Sequence, residues 1–201
     1  AIGSFQLSQL NSSSVQSQLK AAGINTNSKQ YKAAVKEMMS AGNGAMYGNI
    51  QGIKNLMSHY DKDGDYINPV NGLAGLLVTD ENESSRKRII SIPDSSKEEM
   101  YELTKKEFLR ENGVHNGDTT KRSDVYNNLY RKMQKKDRLA AGYTLEKYER
   151  IYRQTFYDAA KKADPNWEIG KPIKDGALDS VTRELAESGK SPAQATLDTK
   201  I

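Results

Sequence analysis

Apolar residues recur every three to four positions over most of the chain, and this spacing predicts amphipathic helices. In the first third, the pattern predicts a short helix between Ser14 and Gly23 and a second helix after Asn27 or Ser28. A third apolar stripe extends from about Tyr47 to Tyr60. This third helix leads directly into a run of aspartates, which makes it the most informative predicted element.

The second half of the chain shows the same periodicity and predicts four more helices. The first of them begins with Ser95 and Glu98, which fit a capping box in which each side chain bonds the other's free backbone amide. The next helix ends at Gly142, and the longest helix begins with Thr144 as its cap. A last short helix precedes Gly189.

Two short apolar runs, residues 76–78 and 89–92, flank a polar stretch rich in turn-forming residues. Such a pattern is typical of a small β-hairpin. We therefore expect a mainly α fold, an irregular helical bundle that carries an acidic loop and one small β-hairpin.

The composition along the chain indicates how it is organised. Residues 1–14 are rich in Ser, Gln and Asn and lack helical periodicity, so we expect a mobile N-terminal arm. Residues 15–92 are predicted to form a helical subdomain with the acidic loop and the hairpin. Residues 93–189 are predicted to form a second helical subdomain, followed by a frayed tail over 190–201.

The candidate chemistry lies in the aspartate run. Asp61, Asp63 and Asp65 occupy alternate positions, with Gly64 among them. Oxygen ligands supplied by a tight loop suit a hard cation such as Ca²⁺, which takes about six to eight of them. The simpler alternative is an acidic turn without a metal, since Asp and Gly both favour turns. Mutual repulsion of three carboxylates favours the cation.

The loop resembles a degenerate EF-hand calcium loop. The three aspartates match the first, third and fifth positions, but Tyr66 stands where the pattern has Gly. If the loop is one residue shorter, Ile67 returns to the usual hydrophobic position and Asn71 falls where the bidentate Glu belongs. The resemblance implies that the carbonyl of Tyr66 or Ile67 and the side chain of Asn71 complete the ligand set. Asn supplies one neutral oxygen, so we expect weak affinity.

Charge and composition narrow the possible partners and compartments. The 201 residues include 30 Lys and Arg against 26 Asp and Glu, a net charge of +4 that is too small to imply a polyanion partner. There is no Cys, which excludes disulfides and thiolate metal sites. No run has the length of a membrane-spanning helix, and the N-terminus lacks signal-peptide features. These features favour the cytoplasm, although a secreted protein with its signal removed would look the same.

Two further surfaces are candidates for binding. The densest basic stretch, residues 131–153, could contact RNA, DNA or an acidic partner, but a solvated helix face explains it more simply. The chain has 11 Tyr against 3 Phe, and tyrosine is common in protein–protein contacts. The tyrosines predicted to make such contacts are Tyr126, Tyr130, Tyr148 and Tyr152.

The stretch SSSVQSQLKAAGINTNSKQYKAAVKEMM followed by SHYDKDGDYINPVNGLAGLL resembles a family of small proteins from anaerobic Gram-positive bacteria that have no assigned activity. We therefore expect a non-enzymatic structural protein that self-associates or binds another protein, with Ca²⁺ stabilising the acidic loop. Two alternatives remain open. One is a metal-dependent hydrolase that uses the acidic loop, and the other is a nucleic-acid accessory protein that uses the basic 131–153 face.

Overall fold

The structure is a computed structural model that describes residues 3–41, 47–115 and 120–189. It confirms a mainly helical fold with one small two-stranded antiparallel sheet. The chain divides into two compact units, residues 1–77 and 78–201, each described below by itself. The predicted tail, residues 190–201, lies outside the described residues.

Unit 1 contains the helices of the first apolar stripes. Helix α1 is Ser13–Ala21, helix α2 is Lys29–Ala41 and helix α3 is Ile50–Met57. The two strands, β1 at Phe5–Gln6 and β2 at Tyr47–Gly48, pair antiparallel. The predicted third helix is therefore shorter than its apolar stripe, because the chain is a strand at 47–48 and turns before Tyr60.

The N-terminal segment differs from the mobile arm that its composition predicts. Phe5, Leu7 and Leu10 are all buried, and a 3-10 turn at Leu7–Gln9 follows β1. Three apolar side chains within six residues are enough to hold this polar segment on the core of unit 1. The buried residues of this core are Phe5, Leu10, Val15, Leu19, Ile24, Tyr31, Ile50 and Ile53.

The sheet does not lie where the sequence places a hairpin. Residues 76–78 and 89–92 form no strand, and the paired strands are residues 5–6 and 47–48, both earlier in the chain. Backbone groups that would form hydrogen bonds to a second strand in a hairpin contact a side chain instead. The hydroxyl of Thr144 accepts a hydrogen bond from the amide of Ile90 at 3.0 Å and lies 3.1 Å from the carbonyl oxygen of Arg88.

Unit 2 contains four helices, among them the two longest in the described part of the chain. Helix α4 is Asp94–Arg110, helix α5 is Thr120–Lys132, helix α6 is Arg138–Ala163 and helix α7 is Arg183–Glu187. Aromatic side chains form the centre of its core. Its largest fully buried side chains are Trp167, Tyr152, Phe108, Phe156, Met100, Leu129, Leu145, Ile151 and Leu178.

Two predicted helix boundaries in this unit are wrong. Gly142 and Thr144 lie inside α6 instead of marking an end and a beginning, since α6 starts at Arg138. Thr144 is fully buried and its hydroxyl bonds the carbonyl of Ala140 at 2.8 Å, so it does not cap a helix. Gly142 gives no break because its missing side chain provides room for Tyr130 of α5.

The predicted capping box of α4 is also absent. In the part of the chain that the structure describes, no side chain makes a capping hydrogen bond at this helix, which follows Pro93. Ser95 instead accepts a hydrogen bond from the ammonium group of Lys132 at 2.9 Å. Glu98 pairs with Arg183 of α7 at 2.8 Å. Both side chains therefore make tertiary contacts.

Candidate metal centre

The aspartate run folds into a tight turn directly after α3. The amide of Asp61 donates to the carbonyl of Asp65 at 2.9 Å, and the amide of Gly64 donates to the carbonyl of Asp61 at 3.0 Å. Gly64 has φ +80, a left-handed conformation that strains other residues. One Asp61 carboxylate oxygen, Oδ1, accepts hydrogen bonds from the amides of Asp63 and Asp65 at 3.0 and 2.9 Å.

The three predicted side chains come together. Asp61, Asp63 and Asp65 each offer one carboxylate oxygen, and these oxygens lie within 4.8 Å of one another. Ca²⁺ holds its oxygen ligands at about 2.3–2.6 Å, so two ligands of one ion are at most about 5 Å apart. The spacing therefore fits one shared ion, while the surface position also suits a solvated acidic turn.

The two ends of the loop are joined by backbone pairing. Tyr60 and Tyr66 form an antiparallel bridge, and their rings meet edge to face with centroids 5.9 Å apart. The amide of Ile67 donates to the carbonyl of His59 at 2.8 Å. This backbone pairing closes a compact loop of five residues between the two tyrosines.

Helix α2 supports the loop from the side. The side-chain amide of Gln30 donates to the carbonyls of Met57 and Tyr60 at 2.8 and 3.0 Å. It therefore binds both the end of α3 and the start of the loop. A Cβ at Gly64 would lie 3.1 Å from the carbonyl oxygen of Lys29, so the turn packs directly against the first residue of α2.

Glu37 of α2 makes a second attachment. Its Oε2 accepts a hydrogen bond from the Tyr60 hydroxyl at 2.9 Å and lies 3.5 Å from Nδ1 of His59. Burial raises the pKa of Tyr60 to about 12, and the hydrogen bond to Glu37 adds to this shift. His59 therefore points to a carboxylate of α2. The contacts of Gln30 and Glu37 have no signal in the sequence, because they join residues more than 20 positions apart.

The two remaining predicted ligands follow the loop. Ile67 forms an antiparallel bridge with Ala74, and it is half-buried. The side-chain oxygen of Asn71 accepts a hydrogen bond from the amide of Leu73 at 2.9 Å, which forms a local turn. Asn71 therefore has a structural role in this turn. Coordination by Ile67 and Asn71 stays a prediction.

The four tyrosines predicted to make protein contacts are all at least partly buried within unit 2. Tyr152 is fully buried, which corrects its assignment to a contact surface. Its ring meets Tyr101 edge to face at 5.3 Å, and its hydroxyl donates to Glu187 at 2.6 Å. Tyr126, Tyr130 and Tyr148 are only partly buried, although Tyr126 and Tyr148 pack against the same core.

The basic stretch does not form one continuous face. Arg153 is only 8% exposed and bonds backbone within the unit. Arg150 pairs with Glu146 at 2.8 Å, one turn away on α6. Lys132 is engaged with Ser95 at the start of α4. Much of the positive charge between 131 and 153 is therefore committed to contacts inside unit 2.

These features define a mainly helical protein with a surface turn of three converging aspartates. The chain belongs to the family described as Domain of unknown function (DUF3879), which matches residues 24–201. Comparison with curated proteins and with solved structures gives no match. Among the described helices, none is both long enough and apolar enough to cross a bilayer.

Proposed function

We propose that the protein is a non-enzymatic structural or interaction protein whose Asp61–Asp65 loop binds a cation, with Ca²⁺ as the best candidate. The observation that carries this proposal is the convergence of three carboxylate oxygens within 4.8 Å in a turn that the backbone itself closes. Carboxylate and carbonyl oxygens are the ligands that Ca²⁺ prefers. We also propose that the loop is a degenerate EF-hand loop and that the protein comes from an anaerobic Gram-positive bacterium.

The surroundings of the loop favour a clamp over a sensor. An EF-hand sensor moves two helices that flank its loop. Here α3 leads into the loop, but no helix follows directly after it in the chain. Residues 58–93, all of them described, contain no helix before α4 begins at Asp94. A cation at the loop would instead hold the turn that Gln30 and Glu37 join to α2. Its effect is therefore on the stability of unit 1.

The partner in this proposal is a second copy of the chain or another protein. The exposed parts of the partly buried Tyr126, Tyr130 and Tyr148 would supply the contact area. Light scattering over a concentration series tests this part. A mass that rises with concentration supports self-association, whereas a constant monomer mass restricts the proposal to a different partner.

The two alternatives receive less support. A metal-dependent hydrolase needs a further carboxylate or histidine beside the metal and an open coordination position. Within the described residues, the three aspartates are the acidic or histidine side chains that lie close enough together to share one metal ion. His59 points to Glu37 instead. A nucleic-acid face over 131–153 loses Arg153 to the interior.

Calcium titration by calorimetry, together with thermal melts, tests the cation. A ligand that binds only the folded state stabilises it by about 2.7 kcal/mol at a hundred times its Kd. We expect Ca²⁺ at millimolar concentration to raise the melting temperature of the wild type and not that of Asp63→Ala. Mg²⁺ at the same concentration controls for ionic strength, and Asp175→Ala controls for loss of an exposed carboxylate. Equal melting temperatures with and without Ca²⁺, and no heat of binding, would reject the site.

A further inference from the structure

A group of charged side chains is buried where three helices of unit 2 meet. Arg122 of α5 places Nη2 2.6 Å from Oε2 of Glu107 on α4 and Nε 3.0 Å from Oε1 of Glu149 on α6. All three residues are less than 10% exposed. One guanidinium therefore joins α4, α5 and α6 through two carboxylates.

Arg153 extends this group to the segment that follows α4. It lies one turn beyond Glu149 on α6 and is itself buried. Its Nη2 donates to the carbonyl of Gly113 at 3.4 Å, and its Nη1 lies 3.3 Å from Nδ1 of His115. The guanidinium of Arg153 thus joins residues 111–115 to α6, in addition to the hydrogen bond from the Gly170 amide to the Asn112 carbonyl and the packing of Gly113 on Trp167.

The contact with His115 depends on the protonation of the imidazole. A guanidinium only donates hydrogen bonds, so Nδ1 of His115 must accept, which places the ring proton on Nε2. When His115 gains a second proton, Nδ1 loses its lone pair and the ring becomes a cation 3.3 Å from another cation. The hydrogen bond is then replaced by repulsion.

Among the described residues, the charged group beside His115 comes from three helices. Arg153 of α6 and Arg122 of α5 act on the imidazole, while Glu107 of α4 and Glu149 of α6 pair with Arg122. The two carboxylates already balance the two guanidiniums, so a protonated His115 has no counter-charge within the group. Burial lowers the pKa of His115, and the positive charges of Arg153 and Arg122 lower it further. Burial raises the pKa of Glu149, against the opposing effect of Arg122 and Arg153.

We propose that the Arg153–His115 contact is a pH-sensitive latch, which holds residues 111–115 on α6 when His115 is neutral and releases them when it is protonated. The sign follows from the lowered pKa. The folded state prefers neutral imidazole, so the contact is complete above pH 6.5, the ordinary pKa, and is lost as the pH falls below that value. His115 is exposed, so water screens the repulsion and the latch opens without unfolding the unit.

Proton NMR titration of the full chain tests the first half of the proposal. The chain has two histidines, His59 and His115, so the imidazole signal that His115→Gln removes is assigned at once. We expect this signal to titrate below pH 6.5 and to move towards 6.5 in Arg153→Gln, which removes the positive charge. Titration of His115 at or above 6.5 in the wild type would overturn the proposal.

Amide hydrogen exchange tests the release itself. The amide of Gly170 donates to the carbonyl of Asn112 at 2.9 Å, so its protection reports whether residues 111–115 stay in place. After correction for intrinsic rates, we expect protection at Gly170 to fall at least threefold between pH 7.5 and 5.5 in the wild type. His115→Gln, which carries no titrating ring, should show no such change. The amide of Ala177, bonded to Lys174, is the internal control. Equal protection of Gly170 at both pH values would overturn the latch.

Discussion

The hydroxyl oxygen of Tyr130 fills the space that a side chain on Gly142 would need, since a Cβ there would lie 2.6 Å from it. Tyr130 belongs to α5 and Gly142 to the second turn of α6. The glycine thus allows the tyrosine ring of one helix to lie on the backbone of the next. Its cost in helix propensity is about 0.5–1 kcal/mol relative to Ala.

We expect Gly142→Ala to destabilise the protein despite the better helix propensity of Ala. Overpacking of this kind costs about 1–3 kcal/mol, which exceeds the gain in propensity. In a Tyr130→Phe background the hydroxyl is absent, so the same substitution should be close to neutral. Denaturant unfolding of the wild type, both single variants and the double variant measures the coupling. Additive free energies of unfolding would show that the two residues do not interact as described.

The three aspartates predict opposite effects of charge removal with and without calcium. In a metal-free, low-salt buffer, Asp63→Asn relieves repulsion in the cluster, and we expect the melting temperature to rise by about 1–3 °C. In saturating Ca²⁺ the same variant should melt below the wild type, because it loses a charged ligand. Thermal melts in the two buffers make the comparison, with Asp175→Asn as the control. The same order of stability in both buffers would contradict a cation at the loop.

Removal of the buried guanidinium in unit 2 should be costly. Arg122→Met leaves Glu107 and Glu149 buried without the guanidinium that bridges them, and breaking a buried pair in this way costs about 3–5 kcal/mol. Arg150→Met is the matched control on a neighbouring surface, where the pair with Glu146 contributes about 0.3–0.5 kcal/mol. Urea unfolding measures both variants. A loss below 1 kcal/mol in Arg122→Met would mean that the two carboxylates find other partners.

Gly113 is required for two separate reasons. It has φ +81, and a Cβ there would lie 3.0 Å from the buried ring of Trp167. We expect Gly113→Ala to cost about 2–5 kcal/mol, the sum of the left-handed backbone penalty and the overpacking. Gly189 has φ +71 and open space around it, so Gly189→Ala should show only the backbone penalty of about 1–2 kcal/mol. Equal losses in the two variants would mean that Trp167 moves aside freely.

The helical character of the fold could be predicted from apolar spacing, because burial of one helix face leaves a local pattern. The apolar stripe predicted to follow Asn27 or Ser28 lies in α2. The predicted helix boundaries are wrong where a residue that usually begins or ends a helix makes a tertiary contact instead. Gly142 and Thr144 both read as helix ends, and both are interior because Tyr130 and the chain at Arg88 pack on them.

The convergence of the three aspartates could also be predicted, since alternate positions in a tight turn bring side chains together. The residues that hold the turn could not be found in this way. Gln30 and Glu37 lie on a separate helix, and their pairing with the loop depends on how α2 meets α3. The same holds for the charged group around Arg122, whose members come from three helices.

Because Gln30 of α2 bonds the backbone on the N-terminal side of the aspartate turn, the turn depends on residues outside its own stretch of sequence. A synthetic peptide of residues 59–71 would contain every proposed ligand but not the amide that secures the carbonyls of Met57 and Tyr60. Grafting that peptide sequence onto another scaffold would transfer the charges without their support. The smallest transplantable piece therefore extends from α2 to Ala74, where the Ile67 bridge closes the turn region.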